Sequence, residues 1–283
     1  MTAFALHAIG GPWARRLAPR RAWLDALPWP AAGELLGDDA RAGLDHEAAR
    51  AVWTQTAWSE YTSAAAFAEL AAALLACGAP IDLVAAAGDF VVDELVHAEA
   101  AARVAGALGG AVLLDVALDR LVRPPAAHAP LVAAAERVVR ACCVGEALTV
   151  PMLKVARRAA GDGVIAAVLG HVVADEAAHA QLGWWFLDWA APSLDDAARA
   201  HLGRVAGGAL RAFAPLFTAD CSGSSGLGVV ACARYDPAFA AAVHRHVLRP
   251  LTARGIDVPG DDVAALMRAA ARAAPLPDDA AAA

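Results

Sequence analysis

Apolar and polar positions along this chain recur at helical spacing. From Asp45, which predicts an N-cap, the series Val52, Thr56, Glu60, Ser63, Phe67, Leu70 and Leu74 holds that period until Gly78-Ala79-Pro80, a stop followed by a restart. A second helix runs from near Pro80 or Ile81 through Asp93, Glu94 and His97 to the glycines at Gly106, Gly109 and Gly110, and the short connection makes it antiparallel to the first. Residues 111 to 130 hold Pro124, Pro125 and Pro130 with no sustained period, which predicts a long crossover. The third helix extends from about Leu131 to Ala160 and carries Glu146, with a kink expected at Pro151 just after that carboxylate. Gly161-Asp162-Gly163 turns the chain into a fourth helix that holds Glu176 and His179.

The flanks are less regular. Residues 1–44 contain prolines and arginines with weak periodicity and read as an irregular arm with a short helix. After Pro192, the pair Ser193 and Asp196 resembles a capping box and starts a fifth helix ending near Phe217. Asp236-Pro237 predicts the start of a sixth that Gly255 closes, and Asp261 opens a short seventh. The expected organisation is all-α: an arm (1–44), a four-helix bundle (45–190), a helical C-terminal extension packed on it (191–274) and a disordered tail (275–283).

Composition agrees with this reading and narrows the partners. Hydrophobic residues make up 59% of the 283, enough to bury a sizeable core, and alanine dominates, which favours helix over strand. A formal net charge of −7 and scattered arginines leave no basic stripe, so nucleic acid is not an expected partner. Apolar stretches are interrupted by Glu69, Asp82, Asp93 or His171 before they reach membrane-spanning length, and the protein is expected to be cytoplasmic with no membrane partner. Cys77, Cys142, Cys143, Cys221 and Cys232 form no C-x-x-C pair, as expected of reduced thiols in a cell.

Two segments repeat: Asp93-Glu94-Leu95-Val96-His97-Ala98 and Asp175-Glu176-Ala177-Ala178-His179-Ala180. Each contains E-x-x-H, which places both ligands on one face of a helix. A glutamate on the neighbouring helix precedes each repeat at hairpin distance, Glu60 before the first and Glu146 before the second. Glu146 and Glu176 lie at similar distances from their turn and come level. The first hairpin is unequal by about four residues, roughly 6 Å of axial rise, which a tilted turn or fraying would have to absorb. Four carboxylates and two imidazoles match two divalent cations in charge, and oxygen with imidazole suits iron or manganese better than thiolate-seeking metals. The expected ligands are therefore Glu60, Glu94, His97, Glu146, Glu176 and His179, with two irons, or Mn/Fe or Mn/Mn, between them. Asp93 and Asp175 are placed to accept the outer N–H of the opposite histidine, Asp175 for His97 and Asp93 for His179.

These residues resemble the ferritin-like di-metal carboxylate superfamily, which includes ribonucleotide reductase small subunits, acyl-carrier desaturases, rubrerythrins and ferritins. The resemblance covers residues 47 to 190, where Glu60-Tyr61-Thr62-Ser63-Ala64-Ala65-Ala66-Phe67, Cys143-Val144-Gly145-Glu146 and both D-E-x-x-H-A segments look like a bacterial group of ferritin-like domain proteins. In that group a histidine commonly follows the first glutamate; here Tyr61 stands instead and is a secondary candidate for a redox-active or hydrogen-bonding phenol. The arylamine N-oxygenases of the superfamily add a seventh ligand four residues before the last glutamate, where this chain has Val172, with His171 one position off that face.

The resemblance implies a di-iron oxidoreductase that activates dioxygen to oxidise a small organic substrate, fed by an external electron donor, in a family where homodimers are common. An iron-oxidising or peroxide-scavenging protein of the ferritin or rubrerythrin kind is the alternative. Against it stand about 90 residues beyond the fourth helix, the missing C-x-x-C module and thin acidic clusters. Trp53, Thr56, Ala57 and Phe67, with Phe90, Cys142, Cys143 and Thr149, are candidate pocket walls. The Cys221–Gly228 loop lacks a phosphate-loop ending and suits a connector or lid, while His244 and His246 point to different faces and share no metal.

Overall fold

The computed structural model describes residues 2–8, 10–31, 35, 42–122, 128–213, 227–230 and 238–273. The protein is all-α; among the described residues a minimal ladder pairs β1 (Thr2–Ala3) antiparallel with β2 (Asp115–Val116). Helix α1 spans Gly11–Asp25, α2 Ala42–Ala76 and α3 Ile81–Ala107. A nearly continuous third bundle rod follows the crossover: α4 (Pro130–Val138), a π-helical stretch (Val139–Glu146) and α5 (Ala147–Ala159). Helix α6 (Val164–Ala190) completes the bundle, and α7 (Asp196–Arg211), α8 (residues 238–252, with a π-helical turn of its own at Val243–Leu248) and α9 (Gly260–Ala273) follow.

Helices α2 and α3 form the first antiparallel pair, the α4–α5 rod and α6 the second, and the pairs meet through α2 with α4 and α3 with α6. Two apolar cores lie along this bundle. One contains Phe67, Leu70 and Leu74 of α2, Phe90 of α3, Val138 to Leu148 of the third rod and Leu182 to Ala190 of α6. The other contains Trp53 and Ala57 of α2, Val96 to Val104 of α3 and Val164 to Val172 of α6. On α2, α3 and α6 the glutamates and histidines of the expected metal set fall where the chain passes from one core to the other. The bundle thus has a polar waist between two apolar ends.

Several element boundaries differ from the sequence expectation. Helix α2 begins at Ala42, so position 45 falls within the helix rather than ahead of it as an N-cap. The cap of α7 is Asp195, which accepts from the Ala198 N–H at 2.7 Å; Ser193 belongs to the preceding 3₁₀ turn, and α7 ends at Arg211. Gly255 closes α8 with φ +70°, and the Ile256 N–H bonds Leu251 O at 3.0 Å, a left-handed C-terminal stop. The Asp236-Pro237 start, Cys221, Cys232 and the 275–283 tail lie outside the described residues. No described helix is long and apolar enough to cross a membrane.

The arm is tied to the bundle by ion pairs and by apolar packing. Arg20 pairs with Asp89 and Asp93, Arg21 with Glu99 and Arg103 with Asp25, joining α1 to α3, while Leu24 is buried in the second core. At the other end Arg254 makes a two-pronged contact with Asp188 at 2.7 and 2.9 Å, fixing the end of α8 to α6.

Candidate metal centre

Glu60 stands as far before the end of α2 at Ala76 as His97 stands beyond the start of α3 at Ile81. Glu60 is therefore level with His97, one helical turn beyond Glu94, and the unequal hairpin needs no tilted turn. Glu146 ends the π-helical stretch and faces Glu176 and His179 from the third rod. The six residues gather as two overlapping sets, Glu60, Glu94, His97 and Glu176 in one, and Glu94, Glu146, Glu176 and His179 in the other. Within each set the candidate ligand atoms lie within 4.8 Å of one another. Glu94 and Glu176 belong to both sets.

Burial is near complete: Glu94, Glu176, His97 and His179 are each at most 1% exposed, whereas Glu60 retains 12%. Both oxygens of Glu94 and Nδ1 of His97 are buried without a well-oriented hydrogen bond, although other candidate ligands stand beside them. Such groups are costly in a metal-free interior and are accounted for when a cation sits among them.

The histidines orient in matching ways. His97 directs Nε2 to Asp175 Oδ2 at 3.1 Å, which leaves Nδ1 toward Glu176 Oε1 at 3.3 Å and toward Glu60 and Glu94 at 4.0 Å. His179 presents Nδ1 to Glu176 Oε2 at 2.8 Å and Glu94 Oε1 at 3.0 Å, with Nε2 directed to Asp93 Oδ2 at 3.7 Å, beyond hydrogen-bond reach. Asp93 also accepts from Arg20 of α1 at 3.1 Å, so its carboxylate is shared between the arm and the site. Each histidine thus offers Nδ1 inward and Nε2 to the aspartate of the opposite repeat, the arrangement that fixes ligand tautomers in metal proteins.

The electrostatics record the same crowding. Burial, followed by the neighbouring charge of Glu176, pushes the carboxyls of Glu94 and Glu146 well above the ordinary range, and Glu60 moves the same way. Burial also opposes ionisation of Glu176, but hydrogen bonds from His179 and His97 outweigh it and hold that carboxyl well below the ordinary range. Both imidazoles are raised, His179 to about 10, because the carboxylates around them outweigh their burial. Without a cation the cluster stores protons.

The other expected residues are placed less uniformly. Tyr61 packs against Phe4 and Trp58, with ring centroids 5.7 and 6.0 Å away. It sits one residue and about 100° around α2 from Glu60, which turns it away from the waist. His171 stacks on Trp23 of α1 at 4.4 Å, and Val172 is core. Phe67 and Phe90 pack on the His179 ring at 5.0 and 4.1 Å, walling the site as expected. Trp53 bonds the Leu227 carbonyl at 2.9 Å, and Thr56 and Thr149 turn back to backbone carbonyls. Cys142 and Cys143 are buried free thiols whose pKa burial drives upward, so they behave as small apolar groups rather than nucleophiles. His244 and His246 are exposed.

The π-helical stretch is the feature that sequence reasoning missed. Between Val138 and Leu148 nearly every position is apolar or small, so a one-residue slip in helical phase leaves no trace in the pattern. A cavity of about 690 Å³ opens between α2, α4 and the crossover, lined by Trp58, Thr62, Arg120, Arg137 and Arg140 and by none of the six candidate ligands.

Compared with family models, with curated proteins and with solved structures, the chain matches none. What the fold and site define is an all-α bundle with a buried carboxylate and histidine cluster able to hold metal.

Proposed function

We propose that the protein is a non-haem di-iron oxidoreductase that uses dioxygen to oxidise a small organic molecule, with electrons from an external donor. The observation that carries the reading is the pair of inward Nδ1 atoms, on His97 and His179, facing two carboxylates common to both ligand sets. Glu60 and His97 would hold one ion, Glu146 and His179 the other, with Glu94 and Glu176 shared. Bound iron supplies the redox chemistry, moving electrons between donor, dioxygen and substrate.

The chain's own part is to position, dry and neutralise. Asp175 holds the His97 ring by its outer nitrogen, so that the inner nitrogen has a lone pair to give. Phe67 and Phe90 press on His179 and exclude water from one side of the waist. Four carboxylates balance the charge of two divalent ions, and ion loading displaces the protons that Glu94 and Glu146 otherwise carry.

The test is metal content and dioxygen uptake. Iron-loaded protein should carry about two irons per chain, and the reduced protein should consume dioxygen, with both properties lost in Glu94→Ala. Iron bound without dioxygen uptake would remove the oxidoreductase reading and leave a metal-binding protein. Iron accumulating far beyond two per chain would favour the storage alternative.

A further inference from the structure

We propose that His128, Glu136 and His201 form a second metal site, separate from the bundle centre, that takes one divalent ion of the zinc kind. His128 lies just before α4 and Glu136 is on α4, while His201 is on α7, so the site joins the start of the third rod to the C-terminal helices. His201 Nε2 stands 2.7 Å from Glu136 Oε1 and His128 Nε2 3.3 Å from the same oxygen. One ligand atom from each lies within 4.8 Å of the other two. The imidazole rings approach to 4.7 Å between centroids, close enough for both to reach one ion.

Ligand atoms held about 2.0–2.1 Å from a zinc ion at tetrahedral angles stand roughly 3.3 Å apart. The His128 to Glu136 separation already has this value, and the His201 to Glu136 separation needs to open by only about 0.6 Å. Two imidazoles and one carboxylate are a donor set that zinc favours and that leaves a fourth position for water. Solvent reaches the site, since the His128 side chain is 48% exposed, while Glu136 at 14% is held by the helix packing.

The arrangement also has a structural consequence. Helix α7 packs on both α4 and the π-helical stretch. An ion shared by Glu136 and His201 would clamp the C-terminal helices to the rod that carries Glu146 ten residues later, about 15 Å along the axis.

The experiment is zinc titration of the full-length, iron-loaded protein, with zinc and iron measured in the same samples after removal of free metal. Wild type should retain about one zinc per chain more than His128→Ala or His201→Ala at equal iron content, and zinc should raise the melting temperature only in wild type. Equal zinc in wild type and both variants, or zinc gained only as iron is lost, would overturn the proposal. Circular dichroism checks the fold of each variant. Should His201→Ala fail to fold, His128→Gln in the exposed loop supplies the comparison and the same two outcomes decide it.

Discussion

His97 and Asp175 meet across the α3 and α6 interface, imidazole Nε2 to carboxylate Oδ2 at 3.1 Å, and that contact decides which ring nitrogen faces the waist. Asp175 is 41% exposed, so its side chain contributes little to the apolar core. Asp175→Ala should therefore leave the fold intact while weakening metal binding by about 10- to 100-fold, the usual loss when such an outer partner is removed. Competition against a chelator of known affinity measures this. Unchanged affinity would mean that packing alone orients His97.

Glu94 is fully buried, and its oxygens make no well-oriented hydrogen bond, Oε1 having only His179 Nδ1 beside it at 3.0 Å. Its presence works against the metal-free fold, because burial and the charges of Glu176 and Glu60 all oppose its ionisation. Replacing it by leucine should raise the stability of the metal-free protein by on the order of 1–3 kcal/mol, the scale of an unsatisfied buried polar group, while abolishing metal uptake. Denaturant unfolding with chelator present separates the two effects. A loss of metal-free stability would show that Glu94 has a packing role that outweighs its charge.

Much of this site was legible because its chemistry follows helical period. The two D-E-x-x-H-A segments repeat on α3 and α6, and the crossed pairing of His97 with Asp175 and His179 toward Asp93 follows from that repeat. Less legible was whatever depended on phase or on distant partners. Counting from Gly78 and Pro80 shows that Glu60 is offset from Glu94 by about a turn, but not that the site accepts this offset with Glu60 level with His97 and no tilted turn. Tyr61 is adjacent in sequence to a candidate ligand, yet helical rotation sends it to Phe4 and Trp58. The π-helical stretch hides in a run where Val138, Val139, Cys142, Cys143 and Val144 are all buried. Neither the attachment of the arm through Arg20 nor the meeting of His128 with His201 has a local signature, since each joins residues distant in sequence.

The metal-free protein should lose stability as pH rises. Both imidazoles and the Glu94 and Glu146 carboxyls have folded-state values above their unfolded ones, so each contributes stability that is complete below its unfolded value and disappears as pH climbs through the folded value. For His179 the window runs from about 6.5 to about 10. Glu176 has the opposite sign, its contribution being lost only as pH falls below the ordinary carboxylate range. Melting temperatures of chelator-treated protein should thus decline between neutral and alkaline pH, and saturating metal should flatten the decline, since a cation replaces the stored protons. A flat profile without metal would contradict the crowded-carboxylate description of the waist.

Gly183 tests whether the π-helical stretch sets the position of Glu146. It follows His179 by one turn of α6, and a Cβ built there would lie 2.7 Å from Cys142 Cβ and 2.8 Å from Cys143 Sγ, closer than atoms tolerate. Gly183→Ala should force the stretch away from α6, costing about 1–3 kcal/mol by overpacking and moving Glu146 relative to Glu176. Gly88 on α3 is the matched control, since a Cβ there meets nothing within 4 Å. Gly88→Ala should stabilise the protein by up to about 1 kcal/mol through helix propensity alone. If Gly183→Ala lowers both stability and metal affinity while Gly88→Ala leaves affinity unchanged, the contact between α6 and the π-helical stretch is what holds the third-rod carboxylate in place. If Gly183→Ala costs stability but not affinity, Glu146 is positioned from within its own helix, and the carbonyl of Gly145, which accepts from Thr149 at 3.0 Å, is the next contact to remove.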